Sequence, residues 1–260
     1  MRRRFLLPLL IAGILAGCAS TAPTTSPVAG VEPLRVGIVP NYVPVIFKQG
    51  GVVSGIEADF ALLMGEALGR PVELVELSWF ELIPALNESR IDIIMSGMSV
   101  TPARREQVFF TDPYMQVGQM ALIRTVDLGR ISDSLSLYRT REKIGFEHGT
   151  TGEDFVRTRL ERAQPVGFNS PDTGIAALRA GLITAFVHDA PTVWRIAGSP
   201  TERELVGLYQ PLTEEYLAWA VRKNDVQLRD ALNAQLSILR AKGELQRIID
   251  RWITVRIEVR

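Results

Sequence analysis

The sequence predicts an α/β fold made of mostly parallel sheets covered by helices. Short apolar runs alternate with helical patterns along most of the chain, and this alternation is typical of strand–helix–strand units. It occurs twice, and in both sets polar turns follow the strands. Since ligands gather at the carboxyl ends of the strands in open α/β sheets, we expect binding at the turns SGMS, GTTG and HDAP.

The first set of elements opens with the apolar run LRVGIV, a predicted strand, and continues with a helix near residues 57–68. Phe60, Met64 and Leu68 recur at helical spacing on one face of this helix, and Gly69 ends it. The strand VELVEL, a helix near residues 80–88 and the strand IDIIMSG complete the set.

The second set begins with KIGFEHG as a strand and turn. Helical patterns near residues 153–161 and 173–180 alternate with the strands PVGF and LITAFVHD. From about Val226 onward, leucines and isoleucines recur at helical spacing and Gly243 interrupts them. This interruption predicts two closing helices.

The stretch SGMSVTPARR predicts a helix start that carries two arginines. Thr101 is suited to the N-cap, and Pro102 fits the first helical position because its missing N–H is not needed there. Arg104 and Arg105 then lie where the helix dipole is positive, which is unfavourable by about 0.3–1 kcal/mol for each exposed cation. An anion bound at this helix start would reverse that sign.

The N-terminus has the composition of a lipoprotein leader. Residues 1–17 hold three arginines and an apolar stretch far shorter than the ~20 residues of a membrane-spanning helix, as in a signal peptide. The ending Leu-Ala-Gly-Cys resembles a bacterial lipobox, so we expect lipid on Cys18; ordinary signal cleavage is the alternative. Cys18 is the only cysteine, which excludes an intrachain disulfide. Residues 18–33, rich in Ser, Thr and Pro, predict a tether.

Composition and spacing argue against several classes of function. The chain has 29 basic and 29 acidic residues, and loss of three leader arginines leaves 26 − 29 = −3, so nothing indicates a nucleic-acid partner. His148 and His188 lack neighbouring Cys or acid pairs at metal-ligand spacing. No serine shows a triad pattern, and no glycine-rich phosphate loop occurs. We therefore expect a monomer with no metal, cofactor or catalytic residue.

Five separated segments carry a family resemblance: GIEADFALLMGEAL, WFELIPAL, DIIMSGMSVTPARREQVFFTDPY, GTTGE and FVHDAP. In order and spacing they resemble the family 3 extracellular solute-binding proteins, the polar amino-acid receptors of ABC importers, from about Leu34 to Trp252. The resemblance implies the two-lobed, type II periplasmic-binding-protein fold, with ligand in the cleft between the lobes. Lobe one would comprise residues 34–116 and 214–260, and lobe two residues 117–213.

The resemblance also assigns ligand contacts in lobe one. Arg104 matches the family's carboxylate-binding arginine, and Ser99 matches the hydroxyl-bearing residue beside it. Gly97 and Ser99 would add backbone N–H groups. The chemistry of Arg104 supports its role independently, because a guanidinium presents a planar fork that binds a carboxylate through two hydrogen bonds.

Further contacts are implied from lobe two and from two aromatic residues. Thr151 matches a second carboxylate donor, and Asp189 matches the acid that holds the α-ammonium group. Tyr42 and Trp79 match the aromatics that flank the ligand, although their spacing alone fits a core position equally well.

Several positions depart from the family pattern. Val45 and Ala58 differ at positions that we expect to be packing sites. Val39 stands where members that bind basic side chains carry an acid. Glu147 stands where an apolar residue can face the ligand, so it could meet a basic side chain and would repel an acidic one. We therefore expect polar uncharged amino acids to bind best, basic ones next and acidic ones last.

The residues and the resemblance together predict a lipid-anchored protein outside the cytoplasmic membrane, in the periplasm or at the cell surface. It would capture a free amino acid by hinge closure and deliver it to an ABC permease. Two alternatives stay open. One is a periplasmic cyclohexadienyl dehydratase, although the DAPT segment offers only Thr192 beyond Asp189 where such an enzyme needs a general acid. The other is a sensory binding protein.

Overall fold

The computed structural model describes residues 30–253. The predicted signal peptide, Cys18 and most of the predicted tether lie outside the described residues. Within residues 30–253, none of the helices has the length and apolar character needed to cross a membrane.

Strands and helices alternate along most of the described chain. The strands are β1 (Leu34–Ile38), β2 (Asn41–Tyr42), β3 (Ile46–Gln49), β4 (Val52–Ser54), β5 (Val72–Glu76), β6 (Ile93–Ile94), β7 (Phe109–Phe110), β8 (Met115–Val117), β9 (Gln119–Arg124), β10 (Lys143–Glu147), β11 (Gln164–Phe168), β12 (Ala185–Asp189), β13 (Leu205–Leu208), β14 (Glu215–Leu217) and β15 (Ala220–Val221). The helices are α1 (Ile56–Leu68), α2 (Leu82–Asn87), α3 (Pro102–Arg105), α4 (Ser134–Leu137), α5 (Thr151–Arg159), α6 (Pro171–Arg179), α7 (Ala190–Ala197), α8 (Val226–Ala241) and α9 (Glu244–Trp252).

The first sheet contains five strands in the order β5-β1-β6-β15-β7. β1 pairs in parallel with β5 and β6, whereas β15 is antiparallel to β6 and β7, so four of the five strands point the same way. Ile93 packs with Phe60 and Leu232 on one face, and the next residue, Ile94, packs with Leu86 on the other. Both faces are buried, which explains why these strands are continuous apolar runs.

The second sheet has the order β11-β10-β12-β9-β13. β10 is parallel to β11 and β12, and β9 is antiparallel to β12 and β13, so again four of five strands share one direction. Phe186 packs with Leu178 on one face, and Val187 packs with Phe155 on the other. The carboxyl ends of β10 and β12 therefore lie side by side, although β11 separates them in the chain.

The chain passes from the first sheet to the second through β8 and returns through β14. These two crossing strands pair with each other, with Met115 opposite Leu217 and Val117 opposite Glu215. The predicted lobe boundary at 116/117 falls inside β8, and the boundary at 213/214 lies just before β14. The division of the chain at these residues stays a prediction.

Several helices begin and end at the expected signals. Gly69 ends α1 in the left-handed conformation with φ 64°, and Gly243 separates α8 from α9 with φ 66°. At α3, Thr101 Oγ1 accepts a hydrogen bond from Arg104 N at 3.2 Å, and Pro102 is the first helical residue. The expected capping of this helix is confirmed.

Other helix boundaries differ from those expected from the sequence. The helix expected near residues 80–88 opens with a 3₁₀ turn, Trp79–Glu81. α5 starts at Thr151 rather than near residue 153, because Thr150 caps it by accepting from the backbone N of Glu153. HDAP is not only a turn, since α7 begins directly after Asp189 with a proline in its first turn, a favourable position.

Candidate functional site

One pocket brings together the turns that follow strands of both sheets. Its lining residues are Val39, Asn41, Tyr42, Trp79, Ser96, Gly97, Ser99, Arg104, Glu147, Thr150, Thr151, His188 and Asp189. All seven residues that the resemblance assigns to ligand binding belong to this lining. The structure therefore brings them together, and their roles in binding stay predictions.

The guanidinium of Arg104 lies in this pocket and has only neutral hydrogen-bond partners. Nη1 donates to the backbone O of Ser99 at 2.8 Å, and Nη2 donates to the backbone O of Gly149 at 3.2 Å. Its Cζ atom lies 5.2 Å from the centroid of the Trp79 ring. Burial lowers the pKa of Arg104, and the charges of Asp189 and Glu215 only partly oppose that effect. Among residues 30–253, no carboxylate forms an ion pair with this partly buried cation.

Gly149 connects the two sheets on this side of the pocket. Its backbone O also accepts from Trp79 Nε1 at 2.9 Å, and its backbone N donates to Glu153 Oε2 at 2.7 Å. Gly149 has φ 75°, and a Cβ atom here would lie 2.7 Å from the Phe80 ring and 2.9 Å from the Trp79 ring. Only glycine permits both the backbone conformation and the close approach.

Asp189 ends β12 on the opposite side of the pocket and also has neutral side-chain donors. Its Oδ2 accepts from the Tyr42 hydroxyl at 2.7 Å, and its Oδ1 accepts from Gln119 Nε2. Burial raises the pKa of Asp189, and Glu215 adds to this, while His188, Tyr42 and Gln119 partly oppose it. Burial thus destabilises the ionised carboxylate of Asp189, and a cation beside it would stabilise that form.

Thr151 belongs to a chain of hydrogen bonds that leads from the pocket to the crossing strands. Its Oγ1 accepts from Gln119 Nε2 at 2.9 Å and donates to Glu215 Oε2 at 2.7 Å, and Thr213 Oγ1 donates to the other oxygen of Glu215 at 2.7 Å. Gln119 starts β9, directly beyond β8, and Glu215 starts β14. Neither residue belongs to one of the five motifs, so nothing in the sequence pointed to either.

Gly97 contributes less than the sequence suggested. We expected its backbone N–H to be free for a ligand, but it donates to Glu57 Oε2 at 2.5 Å. Burial raises the pKa of Glu57 to about 8. A Cβ atom on Gly97, which has φ 67°, would lie 2.6 Å from the Tyr42 ring. Gly97 therefore lets the aromatic ring and the backbone pack closely, and Ser99 is the better-placed of the two predicted residues.

Glu147 and His188 form a second acidic and basic pair in the lining. His188 Nε2 lies 3.2 Å from Glu147 Oε2, and only 5% and 13% of the two side chains are exposed. Asn41 Nδ2 lies 3.5 Å from the other oxygen of Glu147. Glu147 was expected to face the ligand as a departure from the family pattern, whereas no role was expected for His188. Its place next to Asp189, at the end of a buried strand, was the signal available.

Comparisons with known proteins show that the chain is similar to amino-acid-binding proteins. The sequence model of the bacterial extracellular solute-binding proteins, family 3, matches residues 34–255. The L-cystine-binding protein TcyJ of Escherichia coli is 24% identical over 220 residues, which cover 84% of this chain and 82% of that protein.

Solved structures agree. An ancestral amino-acid-binding protein, AncCDT-1, described as a precursor of cyclohexadienyl dehydratase, is 31% identical with a TM-score of 0.78, over 85% of this chain and 95% of that chain. An ancestral arginine-binding protein, solved with arginine and with glutamine, is 27% identical with a TM-score of 0.77, over 85% of this chain and 97% of that chain. The predicted two-lobed fold class is confirmed.

Proposed function

The chain belongs to the bacterial extracellular solute-binding proteins, family 3, and we propose that it captures a free α-amino acid outside the cytoplasmic membrane and delivers it to an ABC importer. The named relatives are amino-acid-binding proteins, which favours capture over catalysis. The residues of the pocket decide how capture would work.

The observation that carries this proposal is the placement of one cation and one anion at the same pocket, each with neutral hydrogen-bond partners. Arg104 offers a planar fork to an α-carboxylate, and Asp189 offers a carboxylate to an α-ammonium group. A zwitterion supplies one opposite charge to each. Charge-assisted hydrogen bonds of this kind are roughly twice as strong as neutral ones.

Closure of the cleft follows from the position of these residues on different sheets. Arg104, Trp79 and Tyr42 belong to segments next to the first sheet, whereas Gly149 and Asp189 follow or end strands of the second. A ligand drives closure only if it binds the closed form more tightly than the open form. An amino acid held by Arg104 and Asp189 together meets that condition.

We propose that polar uncharged side chains are preferred, then basic ones, and acidic ones last. Val39 offers no carboxylate at its position in the lining, and His188 already pairs with Glu147. An unpaired buried cation costs several kcal/mol, and an acidic side chain would meet Glu147 at like charge. The relative solved with both arginine and glutamine shows that this fold can hold either kind of side chain.

We propose that lipid on Cys18 holds the protein at the bacterial membrane. We also propose that the protein is a monomer and that it delivers its ligand to a permease. The leader, the short apolar stretch and Leu-Ala-Gly-Cys support the anchor. Two or more acyl chains hold a protein to a bilayer stably, at ~0.8 kcal/mol per buried CH₂.

A thermal-shift panel of the free amino acids on the purified protein tests capture and its ranking. A ligand at 100 times its dissociation constant stabilises by ~2.7 kcal/mol, which raises the melting temperature by several degrees. Glutamate or aspartate as the only stabilising ligands would overturn the ranking. If no amino acid raises the melting temperature and the protein converts prephenate or arogenate, the dehydratase alternative is correct. The similarity to AncCDT-1, a precursor of such an enzyme, is the reason to test it.

A further inference from the structure

Two ion-pairing groups of the pocket have no part in holding an α-amino acid backbone. If Arg104 takes the carboxylate and Asp189 takes the ammonium group, Glu147 and His188 remain in the lining. Glu147 ends β10 and His188 lies one residue before the end of β12, so the sheet places them side by side. With the α-carboxylate and α-ammonium groups assigned to Arg104 and Asp189, the ligand side chain is the part left to meet this pair.

We propose that Glu147 and His188 form the side-chain recognition site, and that the protonation state of His188 selects between uncharged and cationic side chains. This inference rests on the proposed function. With imidazolium at His188, the pair is neutral and a polar uncharged side chain leaves no charge unmatched. With neutral imidazole, Glu147 carries an unpaired negative charge, and an arginine or lysine side chain is its natural partner.

The charged and titratable groups around His188 favour its imidazolium form. β10 contributes Glu147 and β12 contributes Asp189. From β2, the Tyr42 ring packs edge-on against His188 with centroids 5.4 Å apart, and its hydroxyl donates to Asp189. β9, which pairs with β12, places the uncharged Met120 opposite His188. Arg104 and Glu215 act at one remove, through their charge interactions with Asp189.

The direction of the pH effect follows from these neighbours. Burial alone lowers the pKa of His188, but the hydrogen bond to Glu147 and the charges of Asp189 and Glu147 outweigh it and raise the pKa. The imidazolium is present below this raised pKa and is lost as the pH rises through it. A cationic side chain is therefore disfavoured at low pH and admitted at high pH.

The ratio of the affinities for arginine and glutamine isolates this effect. Both ligands carry the same α-carboxylate and α-ammonium groups, so titration of Asp189 or of the ligand backbone cancels in the ratio. The arginine side chain stays charged throughout. A ligand that needs one group deprotonated gains up to about tenfold in affinity per pH unit below the pKa of that group.

The experiment is isothermal titration of the full-length protein with arginine and with glutamine between pH 5.5 and 8.5. For the wild type, the arginine-to-glutamine ratio should rise with pH by up to about tenfold per unit and level off above the pKa of His188. His188→Gln should give a high ratio that does not change with pH. Glu147→Gln should give a lower ratio than the wild type at high pH, because the carboxylate that attracts a cationic side chain is gone. His148→Gln, which changes a half-exposed histidine outside the pocket lining, should behave as the wild type.

The outcomes separate this inference from the function on which it rests. If both amino acids bind and the wild-type ratio is flat, the inference is wrong while the proposed function stands. An arginine-to-glutamine ratio that is the same in Glu147→Gln and in the wild type at high pH also overturns it. Binding of neither ligand, nor of any other amino acid, would refute the proposed function and the inference with it. The wild-type profile decides the question even if a variant fails to fold.

Discussion

Replacing Arg104 by methionine should abolish amino-acid binding without unfolding the protein. In the structure the partly buried guanidinium lies over the Trp79 ring and donates hydrogen bonds to the carbonyls of Ser99 and Gly149. Methionine keeps much of the apolar stem and its contact with the ring, but removes the charge and both donors. The α-carboxylate of a ligand would then enter a buried pocket without its cation.

The size of the effect follows from that burial. Removing one partner of a desolvated charge pair costs ~2–5 kcal/mol, a loss of roughly 30- to 5,000-fold in affinity. The structure favours the upper half of this range, because the described residues offer no second cation in the pocket lining that is charged at all pH values. Stability should change little, since the lost hydrogen bonds, ~1–3 kcal/mol each, are offset by removal of a partly buried cation without an ion-pair partner.

Calorimetry with the best ligand of the panel measures the loss, and two variants serve as controls. Arg105→Met removes the neighbouring, exposed arginine and should bind as the wild type. Arg104→Lys keeps the charge but loses the planar fork, so its affinity should lie between those of the wild type and Arg104→Met. An Arg104→Met protein that binds within about threefold of the wild type, a loss below ~0.7 kcal/mol, would refute the assignment.

Three further predictions concern other residues. Asp189→Asn should also lower the affinity by ~2–5 kcal/mol, and the wild-type affinity should fall as the pH drops through the raised pKa of Asp189, which calorimetry between pH 4 and 7 measures; equal affinity for both proteins contradicts this. Cys18→Ser should move the protein from membrane to soluble or unprocessed fractions, and unchanged fractionation contradicts lipid attachment. Burial raises the pKa of Glu57 from 4.5 to about 8, so between these pH values folding takes up a proton. The free energy of unfolding should therefore fall as the pH rises from 4.5 to about 8, by up to about 1.4 kcal/mol per pH unit. Urea unfolding at several pH values should show a weaker decline in Glu57→Gln, and parallel curves contradict it.

The parallel parts of both sheets could be predicted from the sequence, and most of the antiparallel parts could not. Runs such as LRVGI and KIGFE are bounded by turns and helices, so their type is clear. β15 has only two residues and β14 three, which is too short for any periodicity. α7 was missed because Pro191 was taken as part of a turn, although proline also starts helices.

The pocket residues that lie in a single recognisable motif could be predicted from the sequence. Arg104 and Asp189 were identified because each lies in a recognisable segment. The pairing of Glu147 with His188 depends on β10 and β12 being neighbours in the sheet, and the link from Thr151 to Glu215 depends on the crossing strands. Such contacts depend on the order of the strands in the sheet, which cannot be read from a single sequence.

In the proposed mechanism, Arg104 and Asp189 also couple capture to closure. The surroundings shift the pKa of Arg104 down and that of Asp189 up, so in each case burial opposes the charged form. Their protein partners, two carbonyls on one side and a hydroxyl and an amide on the other, do not compensate for this. Bringing the two sheets together therefore has an electrostatic cost that the protein does not meet by itself. A zwitterion stabilises the charged forms of both Arg104 and Asp189, whereas a simple carboxylate or amine stabilises only one of them. In the proposed mechanism, closure would be tied to ligands that carry both charges, and Glu147 and His188 would distinguish the side chain.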